Sequence, residues 1–501
     1  MRRIVMICLA GLTLFHTLLF AEQAGPPDSI PLEERIADPT FLDSMLADSS
    51  AYRKHLADGG ATELMFAVYE GDTVKVKQLL ASGAKVDERD NPGWTALMLA
   101  ARNGCLQEAR LLIEAGAELD ARDRKGFFAL KHAARNNRLG LVRLLLESGA
   151  DVNLTEQNGC TALMSAAQHG QTETVLYLLE QGAGLEARLD DGFSALQLAA
   201  EYGYTETVRA LLDAGADLQH LENQGDNALI IAARRGRFET VKLLLARGLD
   251  PNSKNDQGHT PFLVAANSGN QEVFDLLAGA GADMLHRDIH GDNAMIQAAI
   301  GGNPEIIRAL LEAELEADQA SRFGTRDTPL MIADGKGREE AVRLFLAQGA
   351  DCHHLNEGGF TALYLAASTG QAGVVKLLLE AGSGIDHVAG KAKATPLIMA
   401  SAAGHRELAS TLLEAGAEVD FQDSAGQTAL FAAIAGNRTE TARFLLEHGA
   451  NPDEALANGF TPLHLAVYQG NAEVVEDLIE ARAELDAQVR QTGFTPLMIA
   501  I

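Results

Sequence analysis

The chain has 501 residues, 47% of them hydrophobic, 5% aromatic and 22% charged, with one tryptophan and a formal charge of −28. A surface this acidic keeps a long chain soluble and repels nucleic acid and anionic lipid, so a protein with a basic patch is the easier electrostatic match. Scarce aromatics, with small residues and leucine carrying the apolar content, argue against one large globular core and for thin, closely stacked layers.

In chain order, residues 1–21 read as a secretory signal peptide. Arg2 and Arg3 form a positive start, and Ile4 to Phe20 is an apolar run. Ala21 offers a cleavage point, although Leu19 at the −3 position is larger than the rule prefers. An uncleaved membrane anchor is the alternative, with a run at the lower limit for spanning a bilayer. No later stretch reaches spanning length. This places the protein in the periplasm or outside the cell. Residues 22–37 form an acidic lead-in containing Pro26, Pro27 and Pro31. Residues 38–60 read as a helical N-terminal cap, because Phe41, Leu42, Met45, Leu46, Tyr52 and Leu56 recur near helical spacing. A partner-binding helix is the alternative for that segment.

From residue 61 onward a short pattern recurs: a small polar residue, Ala or Pro, Leu, two variable residues, Ala. It starts at Thr62, Thr95, Phe128, Thr161, Ser194, Asn227, Thr260, Asn293, Thr328, Thr361, Thr395, Thr428, Thr461 and Thr495. The step is 33 residues except before Thr328, Thr395 and Thr495, where it is 35, 34 and 34. The opening Thr, Ser or Asn can cap a helix, and Pro261, Pro329, Pro396, Pro462 and Pro496 follow where a missing N–H costs nothing. Leu and Ala mark the buried stripe of a short first helix. A second helix carries paired leucines such as Leu111-Leu112 and Leu378-Leu379, and glycines such as Gly116 and Gly416 close it. A polar loop ending in Gly, as in Asp123 to Gly126, leads to the next cap.

This pattern resembles the ankyrin repeat, from Ala61 to Ile501, as thirteen repeats and the start of a fourteenth. The resemblance implies an all-α solenoid: stacked helix–turn–helix units with short β-hairpin loops, forming a curved superhelix whose concave face usually binds proteins. A single unit cannot bury its leucines alone, so stacked neighbours complete the core. Phe128 cannot cap, so the third repeat is expected to start less firmly. Glu314 and Arg482 replace the glycine that ends the second helix, and longer, irregular connections are expected after them. The chain stops inside the first helix of the fourteenth unit, which reads as truncation or as an end fitted against a partner.

Chemistry is sparse. Cys352-His353-His354 is the nearest approach to a metal cluster and lacks a second half, so no metal or other cofactor is expected. Cys105, Cys160 and Cys352 read as small structural residues, and most carboxylates as turn formers. No catalytic motif appears, so the chain is read as no enzyme. In the family, contacts come from the loop tips and the ends of first helices. At those positions the early repeats offer Tyr69, Trp94, Arg102, Phe127, Arg135, Tyr202, Arg234 and Arg235, whereas later ones offer mostly Gly, Ala, Ser and Thr. Tyr, Trp and Arg dominate binding hot spots, so these eight residues are the candidate partner site. Phe193, Phe360, Phe460 and Phe494 stand at the same position as Phe127, which gives Phe127 a structural alternative. The expectation is a monomeric, non-catalytic protein-binding scaffold. A secreted effector of a host protein, a binding half joined to an enzymatic domain beyond residue 501, and a self-assembling solenoid are the rivals.

Overall fold

The structure, a computed structural model, describes residues 60–321 and 325–500. The expected signal peptide, lead-in and N-terminal cap lie outside the described residues, save Gly60. Twenty-seven helices lie among the described residues, two per repeat and one at the start of the fourteenth unit.

Each repeat begins as its sequence dictates. Twelve cap residues hold extended backbone and accept, through the side chain, the N–H three residues on: Thr62, Thr95, Thr161, Ser194, Asn227, Thr260, Asn293, Thr328, Thr361, Thr395, Thr428 and Thr461. Each such bond satisfies a donor that the first helical turn would otherwise orphan. The third repeat differs. Its helix, Ala129–Arg135, starts in the same register, although Phe128 offers no capping oxygen. Phe128 is instead buried to 1% exposure, so packing holds the position that hydrogen bonding holds elsewhere.

The first helices carry the core. In Ala96–Asn103 the residues Ala96 to Ala101 are all buried, because alanine lets neighbouring helices approach closely while leucine and methionine fill the layer between. Burying each leucine stabilises by roughly 1.5–3 kcal/mol. His464, at a position that several other repeats give to methionine, is fully buried. Its Nδ1 faces the Thr461 N–H and hydroxyl, and its Nε2 lies 3.1 Å from the Phe494 carbonyl.

The loops are tight turns rather than strand ladders. Among the described residues there are only isolated antiparallel bridges, at Thr155–Thr161, Arg188–Ser194 and Ala389–Ala394. The Asp123 carboxylate accepts the N–H groups of Lys125 and Phe127, each at 2.8 Å. Asn255 and Asp423 repeat the arrangement. Carboxylates also tie several repeats to the next, as where Asp87 accepts the Glu118 N–H and Asp420 the Asn451 N–H. Much of the chain's acidity is thus structural. Where glycine is missing from the helix end, the left-handed conformation persists: Glu314 has φ 61° and Arg482 φ 64°. The lengthened connections contain two more such residues, Arg326 and Lys393.

The chain divides into two compact units, residues 60–133 with 140–151 and residues 134–139 with 152–500. In the first, Glu63–Tyr69 packs on Ala96–Asn103. In the second, successive first helices stack in order, Pro261–Ser268 on Ala294–Gly301 and Pro396–Ala403 on Ala429–Ala435 among them. The last helix, Pro496–Ala500, leaves Leu497 and Met498 exposed.

Candidate partner-binding site

Three of the eight candidate residues meet in the first unit. Trp94 precedes the cap of the second repeat, and its N–H donates to Asp90 Oδ1 at 2.7 Å. Arg102, in the last turn of the helix that follows, lays its guanidinium over the indole at 5.5 Å. The His132 ring of the third repeat packs against Trp94 at 4.4 Å and against Phe127 at 5.7 Å. Lys131 Nζ lies 3.9 Å over the Phe127 ring. Trp94, His132 and Phe127 therefore form one row of rings across two repeats, with a cation on each end. Cations over aromatic faces are held by the ring quadrupole.

Phe127 also has the structural role that its sequence position raised. Phe360 stacks on Tyr364 and Phe460 on His464, each four residues on. Phe127 faces Lys131 at the same spacing, so the same staple serves here with an ammonium in place of the second ring. Asp90 has its carboxyl pushed above the usual carboxylate range by burial, against the pull of the Trp94 and Gly93 amides.

The other candidates have surroundings of their own. Tyr69 and Arg135 are half-buried. Tyr202, in the second unit, is exposed and stacks on Tyr204 at 6.3 Å, with its hydroxyl 3.4 Å from Gln168 Nε2. Arg234 is bonded to the buried Asp226, which also accepts from Asn255 Nδ2 at 2.8 Å. Arg235 donates to Glu201 at 2.7 Å. Both arginines are thus tied to carboxylates of the array itself.

Lys131, His132 and Tyr204 were missed by sequence reasoning. Lys131 and His132 fall on helix positions that elsewhere are core; Lys131 meets Phe127 within its own repeat, and the stacking of repeats brings His132 to Trp94. The partners of the arginines leave a readable signal: Arg235–Glu201, Arg247–Asp213 and Arg443–Asp477 are each 34 residues apart, one period plus one.

Among the described residues no group of three or more His, Cys, Asp or Glu could hold a metal. Cys352 is buried, its Sγ 3.8 Å from the Ala381 carbonyl, and among the described residues Cys105, Cys160 and Cys352 are free thiols. No described helix is long and apolar enough to cross a membrane.

The period, the capped helix pairs and their stacking define a repeat protein. The chain belongs to the ankyrin-repeat family: a model described as "Ankyrin repeats (3 copies)" matches residues 64–156, 149–221, 218–288, 262–355, 295–389 and 330–423, and one described as "Ankyrin repeats (many copies)" matches 430–479. It is similar to the human ankyrin repeat and SOCS box protein 16, being 39% identical over 118 residues, which span 24% of this chain and 25% of that protein. A crystal structure of the human ASB11 ankyrin repeat domain is 29% identical and covers 44% of this chain and 99% of the domain, with a TM-score of 0.41. Repeats of this family suggest a protein–protein interaction scaffold.

Proposed function

We propose that the chain is a non-catalytic scaffold of the periplasm or extracellular space that grips a protein partner through the loops and first-helix ends of its early repeats. The observation that carries the reading is the Trp94–His132–Phe127 row with Arg102 and Lys131 over its ends. Large rings with a polar handle bury area at low entropic cost, which is why such residues concentrate binding energy. Arg2, Arg3 and the apolar run that follows support the location. Tyr202 beside Tyr204 supports a second point of contact in the second unit.

The test is capture of partners by the immobilised full chain, wild type against Trp94→Ala plus Arg102→Ala, with circular dichroism to show that the variant keeps its helices. Loss of specific bands in the variant is expected, and capture of the same bands at the same yield would remove the site. Fractionation with N-terminal sequencing of the secreted and periplasmic pools tests the location. Recovery only from the cytoplasm would overturn it.

A further inference from the structure

The loop beside this aromatic row has the opposite charge to the chain that carries it. Residues 122–127 hold three cations, Arg122, Arg124 and Lys125, and a single acidic residue, Asp123, on a chain of formal charge −28. Asp123 is already committed to the Lys125 and Phe127 amides. Arg122, Arg124 and Lys125 are exposed, and among the described residues none of the three is in an ion pair. Two acids nearby are engaged: Asp90 takes the Trp94 N–H and feels the Arg124 charge, and Glu118 lies 3.7 Å from Arg89. A charge run that serves only solubility would share the sign of the chain. This one lowers the net charge that keeps the molecule soluble.

The loop is fixed against the rings by backbone. The Arg124 N–H donates to the Pro92 carbonyl at 3.1 Å, and Arg89 donates to the Arg122 carbonyl. Gly93, at φ +92°, lets the Arg124 stem cross directly over it: a Cβ there would come within 3.0 Å of the Arg124 amide nitrogen and 3.2 Å of its Cγ. The residue after Gly93 is Trp94. Cationic loop and aromatic row therefore form one site.

We infer that this site, built by Trp94, Arg102, Arg124, Lys125 and Phe127, takes a short acidic peptide segment of the partner protein. The inference rests on the reading that the aromatic row is the partner site. Carboxylates of the segment pair with the loop cations through charge-assisted hydrogen bonds, and apolar side chains between them lie on the rings. The segment is short because the field of the patch is local. At physiological ionic strength charges are screened beyond about 8 Å, so a few carboxylates at the loop tip feel mainly cations. A long polyanion such as RNA would run out over the acidic remainder of the chain and be repelled.

The test is fluorescence anisotropy of the full chain with a fluorescein-labelled peptide of alternating Glu and Phe, a matched Gln–Phe peptide, and a short single-stranded RNA. The Glu peptide is expected to bind, more weakly as salt rises, and better than either control. Arg124→Glu plus Lys125→Glu is expected to weaken it by about tenfold or more. Arg343→Glu plus Lys376→Glu, an equal charge change in the second unit, is expected to leave it nearly unchanged. Equal affinity for the Glu and Gln peptides, tighter binding of RNA, or equal losses in the two double variants would each overturn the inference. Partner capture that survives the Arg124 and Lys125 reversal but is lost on removal of Trp94 and Arg102 would overturn the acidic-segment inference alone. Capture retained in both would remove the site itself.

Discussion

The Arg102 guanidinium lies 5.5 Å over the Trp94 indole, joining the end of the first helix of repeat two to the loop that precedes it. Trp94 is the only tryptophan in the chain, so its emission reports this one site. Replacing Arg102 by alanine removes the cover from one side of the ring. The emission maximum is expected to move to longer wavelength as water reaches the indole. The stability loss should be small, about 0.5–1 kcal/mol, as for exposed cation–π pairs. An unchanged spectrum would mean that the guanidinium does not cover the ring in solution.

Phe128 sets two opposed effects against each other. Phe128→Thr would supply the side-chain cap that the third repeat lacks, a gain of about 1 kcal/mol. It would also empty a site buried to 1% exposure, a loss of about 3–5 kcal/mol for phenylalanine in a core. The loss wins, so the variant should be less stable by roughly 2 kcal/mol or more. Thr361→Ala, which removes a cap alone, should cost only about 1 kcal/mol. Urea titrations in which Phe128→Thr comes out as stable as wild type would refute the packing account.

The repeat frame was legible because it depends on local backbone chemistry. A hydroxyl three residues ahead of an N–H, a proline at the first helical position and a glycine in the left-handed region are all readable one residue at a time. Trp94, Arg102 and Phe127 were legible for the same reason, by their place in the period. What the period does not encode is what touches what between repeats. Lys131 and His132 look like core positions in their own helix, and the geometry of stacking brings His132 to a ring one repeat away. The weak start expected at Phe128 was a reading of the cap alone, blind to the burial that replaces it. Arg234 and Arg235 looked available because their carboxylates, Asp226 and Glu201, are found only by comparing positions about one period apart or across the loop.

Glu314 and Arg482 hold left-handed backbone that most repeats give to glycine. An L-residue there costs about 1–2 kcal/mol, while glycine loses about 0.4–1 kcal/mol through the freedom of the unfolded chain. The balance favours glycine. Glu314→Gly and Arg482→Gly should each stabilise by about 0.5–1 kcal/mol. The converse change, Gly349→Ala at φ +81°, should destabilise by a similar amount. Neighbouring repeats then exchange amide hydrogen more slowly in the glycine variants and faster in Gly349→Ala. A destabilised Glu314→Gly would show that the glutamate makes contacts that outweigh its strain.

Asp334 stands in the column of the first helix that holds Ala101, Ala167, Ala200 and Ala233 in other repeats. It is 0% exposed, and neither carboxyl oxygen makes a hydrogen bond. Burial raises its carboxyl well above the ordinary 3.8, the Ala366 amide opposes this, and Asp327 adds to it. The folded chain therefore keeps a proton that the unfolded chain releases, so stability falls as pH rises from 3.8 toward the folded value. No charged residue lies on the adjoining first helices, Ala294–Gly301 and Ala362–Thr369, to compensate. Asp334→Ala should stabilise by about 1–3 kcal/mol at neutral pH, the cost of an unsatisfied buried polar group. The gain should shrink as the solution is acidified, because holding the proton no longer costs the wild type free energy and only the burial of an unpartnered polar group remains. Asp334→Asn, polar but not titratable, should remove that pH dependence while keeping much of the polar cost. Urea unfolding of the three proteins at neutral and acidic pH decides it: a gain for Asp334→Ala that stays constant with pH would show that Asp334 does not carry the proton assigned to it.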